Sequence, residues 1–197
     1  MEIKTYVAGP FMTNTYLIIN DKKGIIVDPT IGLEKYIDDI KKINITAILL
    51  THCHIDHIAS AHLFDAPIYM SKIDAINIKD NRINLSNTFG IPFIFPSNNI
   101  IGLDDEVLSL NNLKIECILT PGHTSGGMCF LINDSLFSGD TLFQVGIGRT
   151  DFPTGNMNDL KKSLLKLKCL PKNTKIYPGH GELSTFEFEL KYNPYLK

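Results

Sequence analysis

Apolar residues along the chain fall into short runs that are separated by glycine, proline and polar residues. A β-hairpin is predicted by the runs "YLIIN" and "GIIVD", which lie on either side of Asp21. Further strands are predicted by "TAILL", "APIYM", "EVLSL", "LKIECILT", "GMCFLI", "SLFSGDTLF" and "TKIYPGHG". Helical spacing occurs in "IGLEKYIDDIKKI", "SKIDAINI" and "NMNDLKKSLLKLKCL", the last ending before Pro171. Strand groups interrupted by helices in both halves predict sheets covered by helices, a layered sandwich of the α/β (α+β) class.

Three segments have a less regular pattern. Residues 79–105 are rich in asparagine and proline but also contain Phe89, Phe93 and Phe95, which indicates a long surface excursion with an apolar underside. These phenylalanines and Phe143 are candidates for a pocket wall, with core packing as the default expectation. The segment "DHIASAHLF" predicts a helix for which Asp56 is the N-cap residue. A last helical turn or two is predicted in "STFEFELKY".

Composition narrows the class of protein. A chain of 197 residues without a linker, a repeat or a low-complexity tract is expected to form one domain over residues 1–197. The formal net charge of −2 and the lack of a basic cluster argue against a nucleic-acid partner. No apolar run approaches the ~20 residues of a membrane span, and no signal peptide is recognised. The four cysteines form no CxxC pair, so reduced thiols and a cytoplasmic location are expected.

Histidine and aspartate are concentrated where predicted strands end. Three of the six histidines lie within "HCHIDH" after "TAILL", and "PGH", "GD" and "PGH" follow three later strands. Imidazole nitrogen and carboxylate oxygen are ligands of Zn²⁺. Seven such groups suit two metal ions that share one carboxylate, and backbone alternation places His52 and His54 on one side, with Asp56 and His57 facing a second ion. The seven candidate ligands are His52, His54, Asp56, His57, His123, Asp140 and His180.

The motifs "THCHIDH", "PGHTSGG", "SGDTLF" and "YPGHG", in this order, resemble those of the metallo-β-lactamase superfamily. Within it, the chain is most similar to glyoxalase II, the hydroxyacylglutathione hydrolases, and to their short bacterial relatives. The resemblance extends from about Tyr16 to His180. It implies a four-layer αββα sandwich with two metal ions bridged by Asp140. One ion would be held by His52, His54 and His123, and the other by Asp56, His57 and His180.

The resemblance also implies an activity. A hydroxide held between two divalent ions, with Zn expected and Fe or Mn also compatible with these ligands, would attack a small-molecule thioester such as hydroxyacylglutathione. Asp56 would in addition orient this nucleophile or accept its proton. Aspartate at position 140, where true β-lactamases have Cys or Ser, disfavours antibiotic hydrolysis. The 17 residues after His180 are too few for the C-terminal helical domain with which full-length glyoxalase II binds glutathione.

Two other functions remain open. Persulfide dioxygenases also resemble this sequence, and they use a single iron at the positions of His52, His123 and Asp140. A non-catalytic metal-binding protein is disfavoured because no ligand is missing. The acyl group, the thiol carrier, the native metal and the oligomeric state are not specified by these motifs.

Several other polar residues have a functional and a structural interpretation. Asp28, which ends "GIIVD", is predicted either to hydrogen-bond a metal ligand or to form a strand-end turn. His62 is expected to be an ordinary helix histidine, and Cys53 to point away from the metals. Arg149 and Asp151 are expected to pin a loop together.

Overall fold

The computed structural model describes residues 1–91, 93–95 and 99–197. In this part of the chain the first sheet has six strands that follow one another in chain order. Its first three strands are antiparallel, and the third to the sixth run parallel to one another. The strands are β1 (Glu2–Ala8), β2 (Thr13–Asn20), β3 (Lys23–Val27), β4 (Asn44–Leu49), β5 (Ile68–Ser71) and β6 (Ile100–Leu103).

The second sheet also has six strands among the described residues, in the order β14-β13-β10-β9-β8-β7. Neighbouring strands are antiparallel except for the parallel pair of β10 and β13. A two-stranded hairpin, β11 with β12, lies outside both sheets. The strands are β7 (Glu106–Leu110), β8 (Leu113–Leu119), β9 (Met128–Ile132), β10 (Ser135–Gly139), β11 (Leu142–Phe143), β12 (Gly146–Ile147), β13 (Lys175–Pro178) and β14 (Ser184–Thr185).

Helices cover the outer face of each sheet. Three short helices pack against the first sheet, and two helices pack against the second. They are α1 (Ile37–Ile40), α2 (Ile55–Ile58), α3 (Lys72–Asn77), α4 (Met157–Leu167) and α5 (Phe186–Tyr192). The order of layers is therefore helix, sheet, sheet, helix, which confirms the predicted αββα sandwich.

The alternation of side chains explains why central strands such as β3 and β9 are apolar at nearly every position. In β9, Phe130 faces the core between the sheets, whereas its neighbour Leu131 faces α4 and α5. In β3, Ile25 faces the second sheet and Ile26 faces α1. Since successive side chains of a strand point to opposite faces, a strand buried on both faces needs apolar residues at every position.

The predicted elements differ from the observed ones in a few places. The predicted strands are present, but β1, β6, β12 and β14 were not predicted from the sequence. Asp56 is not an N-cap residue, because α2 begins at Ile55 with His54 preceding it. The predicted helix there is also too long, since α2 ends at Ile58 and a separate 3₁₀ turn covers Ala61–Leu63. The hydrogen bonds of this segment go to other parts of the fold, such as that from Ile55 N–H to the Asn84 carbonyl.

The predicted excursion over residues 79–105 has a mixed outcome. Its residues 92 and 96–98 lie outside the described residues, and its end forms β6. Phe95 is buried in the core under α2 and α3, with Phe93 packed against it. Phe89 lines a large cavity, so the prediction of a pocket wall is confirmed for this phenylalanine.

Strands of both sheets end at the same edge of the sandwich. The carboxyl ends of β3, β4, β8, β10 and β13 lead into Asp28, His52, His123, Asp140 and His180 respectively. An antiparallel bridge between Thr13 and His180 links the two halves of the chain at this edge. Rigid strands thus hold the candidate ligands, which is the arrangement that a precise site requires.

Among the described residues, no helix has the length and apolar character needed to span a membrane. The four cysteines are unpaired, with Cys53, Cys117 and Cys129 buried and Cys169 exposed.

Candidate metal centre

Three histidines from the two halves of the chain form a first cluster, which we call triad A (His52, His54 and His123). One ring nitrogen from each lies within 4.8 Å of the others, and all three side chains are buried. The His54 Nδ1 and His123 Nε2 atoms are 2.9 Å apart. The His52 ring centroid is 4.7 Å from that of His54 and 4.9 Å from that of His123.

A second cluster, triad B (Asp56, His57 and His180), lies beside the first. The Asp56 Oδ2 atom is 3.3 Å from His180 Nε2 and 3.5 Å from His57 Nε2. The two Nε2 atoms of these histidines are 3.3 Å apart. Triad B is close to triad A, since the ring centroids of His52 and His57 are separated by 4.2 Å.

The carboxylate of Asp140 lies between the two triads. Its Oδ2 atom is 3.4 Å from His123 Nε2 of triad A and 3.5 Å from His180 Nε2 of triad B. Its Oδ1 atom is 3.4 Å from His57 Nε2. The structure therefore brings all seven predicted ligands together and places Asp140 where a shared ligand is required.

Hydrogen bonds at the far side of three rings fix their orientation. His57 Nδ1 donates to Asp28 Oδ2 at 2.9 Å, His123 Nδ1 donates to the Arg149 carbonyl at 2.7 Å, and His180 Nδ1 donates to the Phe11 carbonyl at 3.0 Å. Since a carbonyl or a carboxylate only accepts, the Nδ1 atoms carry the hydrogens and each Nε2 faces the centre. Such partners are typical of histidines that bind metal.

Asp28 contacts a candidate ligand, which is the first of the two interpretations given to it. Besides His57 Nδ1, its carboxylate accepts hydrogen bonds from Thr51 N–H at 2.8 Å and from Thr51 Oγ1 at 2.6 Å. Thr51 Oγ1 in turn lies 3.1 Å from Nδ1 of His52. Asp28 thus supports one histidine of triad B directly and one of triad A through Thr51.

The histidines of the cluster differ in their electrostatic environment. Burial, together with the neighbouring His57 and His54, holds the pKa of His52 well below its usual range. Burial and the nearby His123 lower the pKa of His54 to about 3. Both rings are therefore neutral at pH 7 and have a lone pair free to bind a cation.

The two carboxylates have lowered pKa values, and the histidines in contact with them have raised pKa values. Burial opposes the ionisation of Asp56, but the charge of His57 and a hydrogen bond from His180 outweigh it and lower its pKa to about 2. The pKa of Asp140 is held well below its usual range against burial by the same two histidines. Despite burial, the carboxylates raise the pKa of His57 to about 9 and that of His180 to about 11. Both carboxylates are thus anionic and in contact with positive charge.

Three buried atoms of the cluster have no hydrogen-bond partner among the described residues: Nε2 of His52, Nε2 of His54 and Oδ1 of Asp140. Leaving a buried polar atom unpaired is unfavourable, and native structures rarely do so. A divalent cation would satisfy such atoms, since imidazole nitrogen and carboxylate oxygen bind Zn²⁺, Fe²⁺ and Mn²⁺. The residues present therefore fit a metal site.

Two glycines permit the close packing around the cluster. A Cβ atom on Gly179 would lie 2.2 Å from Oδ1 of Asp140. Gly122, which precedes His123, has φ +143° and would place a Cβ atom 2.4 Å from Cα of Leu160 in α4. Larger residues at these positions would displace a candidate ligand.

Two residues that hold the ligand-bearing loops were not predicted from the sequence. The buried Asp74 accepts hydrogen bonds from Cys53 N–H at 3.2 Å and from Thr124 Oγ1 at 2.7 Å, so it joins the two loops that carry triad A. Thr13 donates to Asp56 Oδ2 at 3.0 Å. The only signal for Asp74 is its place three residues after Ser71, a helix-capping spacing that is common without any functional role.

The other residues singled out in the sequence have the predicted positions, but Arg149 has one further contact. His62 is exposed and its Nδ1 bonds the Ala59 carbonyl, away from the cluster. Cys53 points into the apolar core under α2. Arg149 and Asp151 form the expected ion pair, but Arg149 also lines the large cavity above the cluster.

Comparison with known proteins agrees with this geometry. A family model described as the metallo-beta-lactamase superfamily matches residues 8–180. The chain belongs to the metallo-beta-lactamase superfamily. The match spans every element that contributes to the two triads.

Two curated relatives of this superfamily member come from Bacillus subtilis (strain 168). The probable metallo-hydrolase YqgX is 36% identical, over 95% of this chain and 94% of its own length. The probable polyketide biosynthesis zinc-dependent hydrolase PksB is 33% identical, over 91% of this chain and 77% of its own length.

Two solved structures share the fold of this superfamily member closely. The BLEG-1 B3 metallo-beta-lactamase has a TM-score of 0.91 at 33% identity and covers 99% of both chains. TTHA1623, solved in a di-iron-bound form, has a TM-score of 0.87 at 28% identity, covering 98% of this chain and 100% of its own.

The role of Asp28 is tested by Asp28→Asn, which keeps the shape of the side chain and tolerates the φ of 50° at this position. An amide has one acceptor oxygen, so its NH₂ group would face either Thr51 or His57 as a second donor. We expect zinc affinity to fall about 10- to 100-fold, measured by competition with a chromophoric chelator. Asp38→Asn, at an exposed site, is the control. An affinity unchanged within about twofold in Asp28→Asn would contradict this role.

Proposed function

We propose that the protein is a metal-dependent thioester hydrolase of the glyoxalase II type, with two divalent ions held by triads A and B and shared by Asp140. The observation that carries the proposal is the second triad. Three further ligands, Asp56, His57 and His180, adjoin the first three, so the chain supplies donors for two ions rather than one. The di-iron form of TTHA1623 supports a two-ion centre on this fold.

Zinc is the proposed metal, and the name of PksB as a zinc-dependent hydrolase supports it. Ions bound at such a centre lower the pKa of a coordinated water to about 7 and polarise a carbonyl oxygen. The nucleophile is then water, and no serine or cysteine side chain is needed. Of the cysteines near the centre, Cys53 is buried and burial raises its pKa well above the usual range, so it is a neutral thiol.

The reaction follows from this arrangement. Water adds its oxygen to the thioester carbonyl carbon, the carbon–sulfur bond breaks, and the products are a carboxylate, a thiol and one proton. The ionised carboxylate of Asp56 accepts a hydrogen bond from Thr13 and lines the cavity, which supports a role for Asp56 in orienting this water and accepting its proton. A thiolate leaves readily, so the residues of the centre need not supply a strong acid.

Metal removal is the direct test. We expect the purified protein to release thiol from a thioester, to lose this activity when a chelator removes its metal, and to recover it with about two equivalents of Zn²⁺. Metal analysis before and after each step links activity to occupancy. A fully loaded protein that hydrolyses no thioester would refute the proposal.

The same preparations separate two other functions. Oxygen uptake with glutathione persulfide at one iron per chain would support the dioxygenase instead. The similarity to BLEG-1, named a B3 metallo-beta-lactamase, makes β-lactam hydrolysis a second candidate. Aspartate at position 140 is the argument against it, so we expect β-lactam turnover far below thioester turnover.

The role of Asp56 is tested by Asp56→Asn. The amide cannot accept the proton of water, and it binds a cation less strongly than a carboxylate does. We expect turnover to fall roughly 100-fold or more, with lower metal content in triad B, measured by thiol release and elemental analysis. Asp65→Asn is the control, because Asp65 is exposed and lies outside both triads and the cavity. Full turnover with full metal content in Asp56→Asn would show that this carboxylate has no such role.

A further inference from the structure

A cavity of about 580 Å³ opens directly above the two triads. Its floor includes five of the seven candidate ligands. This volume lies within the range of small-molecule sites, which are about 300–1,000 Å³. Its walls share an apolar character, and their members are Phe11, Leu85, Phe89, Phe143, Ile147 and Phe152.

The apolar walls begin at the candidate ligands themselves. The ring of Phe152 is 5.8 Å from that of His54, and the ring of Phe143 is 6.1 Å from that of His180. Across the cavity, Phe89 packs on Phe11 with 4.6 Å between ring centroids. A substrate carbonyl at the metal centre would therefore have its acyl group against aromatic surface.

The cavity has little positive charge to offer an anionic carrier. Among the described residues that line it, Arg149 is the only lysine or arginine. Its guanidinium makes two hydrogen bonds of 2.6 Å to the carboxylate of Asp151 and lies 4.0 Å from the centroid of Phe152. Arg149 forms an exposed ion pair with Asp151, and one guanidinium cannot balance both carboxylates of glutathione.

We propose that this cavity selects thioesters by an apolar acyl group of four or more carbons, and that the thiol carrier contributes little to recognition. The inference rests on the proposed thioester hydrolysis and specifies its substrate class. It departs from hydroxyacylglutathione, whose acyl group is short and polar and whose carrier is anionic. Apolar area removed from water supplies the selectivity.

A substrate series tests the acyl preference. The metal-loaded protein is assayed with N-acetylcysteamine thioesters of lactate, butanoate, hexanoate and octanoate, and with hexanoyl-glutathione. We expect kcat/KM to rise about threefold for each added methylene until the cavity is filled. The kcat/KM of the hexanoyl thioester should exceed that of the lactoyl thioester at least tenfold. Replacing N-acetylcysteamine by glutathione as the carrier should change kcat/KM less than threefold.

A matched pair of variants locates the preference in the cavity. Phe89 and Phe188 are each 38% exposed and each packs on another aromatic ring, but Phe188 lies outside this cavity. Phe89→Ala should lower the hexanoyl-to-lactoyl ratio of kcat/KM about tenfold, and Phe188→Ala should leave it unchanged. Phe89→Leu, which keeps most of the apolar surface, should restore most of the ratio and guards against a folding defect in the alanine variant.

The two possible failures are distinguishable. If lactoyl is hydrolysed as fast as hexanoyl, or if glutathione as carrier raises kcat/KM more than tenfold, the acyl inference is wrong while thioester hydrolysis stands. If the loaded protein hydrolyses none of the thioesters, the proposed function itself is wrong. An equal loss of the ratio in Phe89→Ala and Phe188→Ala would also overturn the assignment to this cavity.

Discussion

The carboxylate of Asp140, whose side chain is only 11% exposed, joins the two halves of the site. It lies 3.4 Å from histidines of both halves of the chain, His57 and His123. A buried anion without a partner costs several kcal/mol, so positive charge around this carboxylate stabilises the folded state. In the protein alone, raised pKa values at His57 and His180 provide that charge. Divalent cations between the same atoms would provide it more strongly, and they would also satisfy the unpaired Oδ1.

The layered fold explains how so many polar groups can be held together in the interior. The two sheets bury apolar residues on both faces, so their strands are rigid up to the ends that lead into the cluster. Asn14 strengthens the connection between the sheets, because its side chain donates to the carbonyls of Pro178 and Gly181 on either side of His180. Rigid strand ends hold ligands precisely and leave the loops above them free to shape the cavity.

Much of this arrangement can be predicted from the sequence, because short motifs encode it. The apolar runs that end in "HCHIDH" or "PGH" predicted both the strands and the convergence of their ends. β1 was missed because its sequence "EIKTYVA" is only partly buried at the edge of its sheet. Asp74 and the carbonyl of Phe11 act through tertiary contacts far along the chain, which no local pattern reveals. The stacking of Arg149 on Phe152 likewise depends on the folded loop, so the charge balance of the cavity was visible only in the structure.

The proposed function depends on two cations that share Asp140. Anomalous diffraction at the zinc edge from crystals of the zinc-loaded protein tests it most directly. We expect two peaks, one within triad A and one within triad B, each about 2.0–2.2 Å from a carboxylate oxygen of Asp140. A single peak, or two peaks of which either lies beyond bonding distance of that carboxylate, would contradict it.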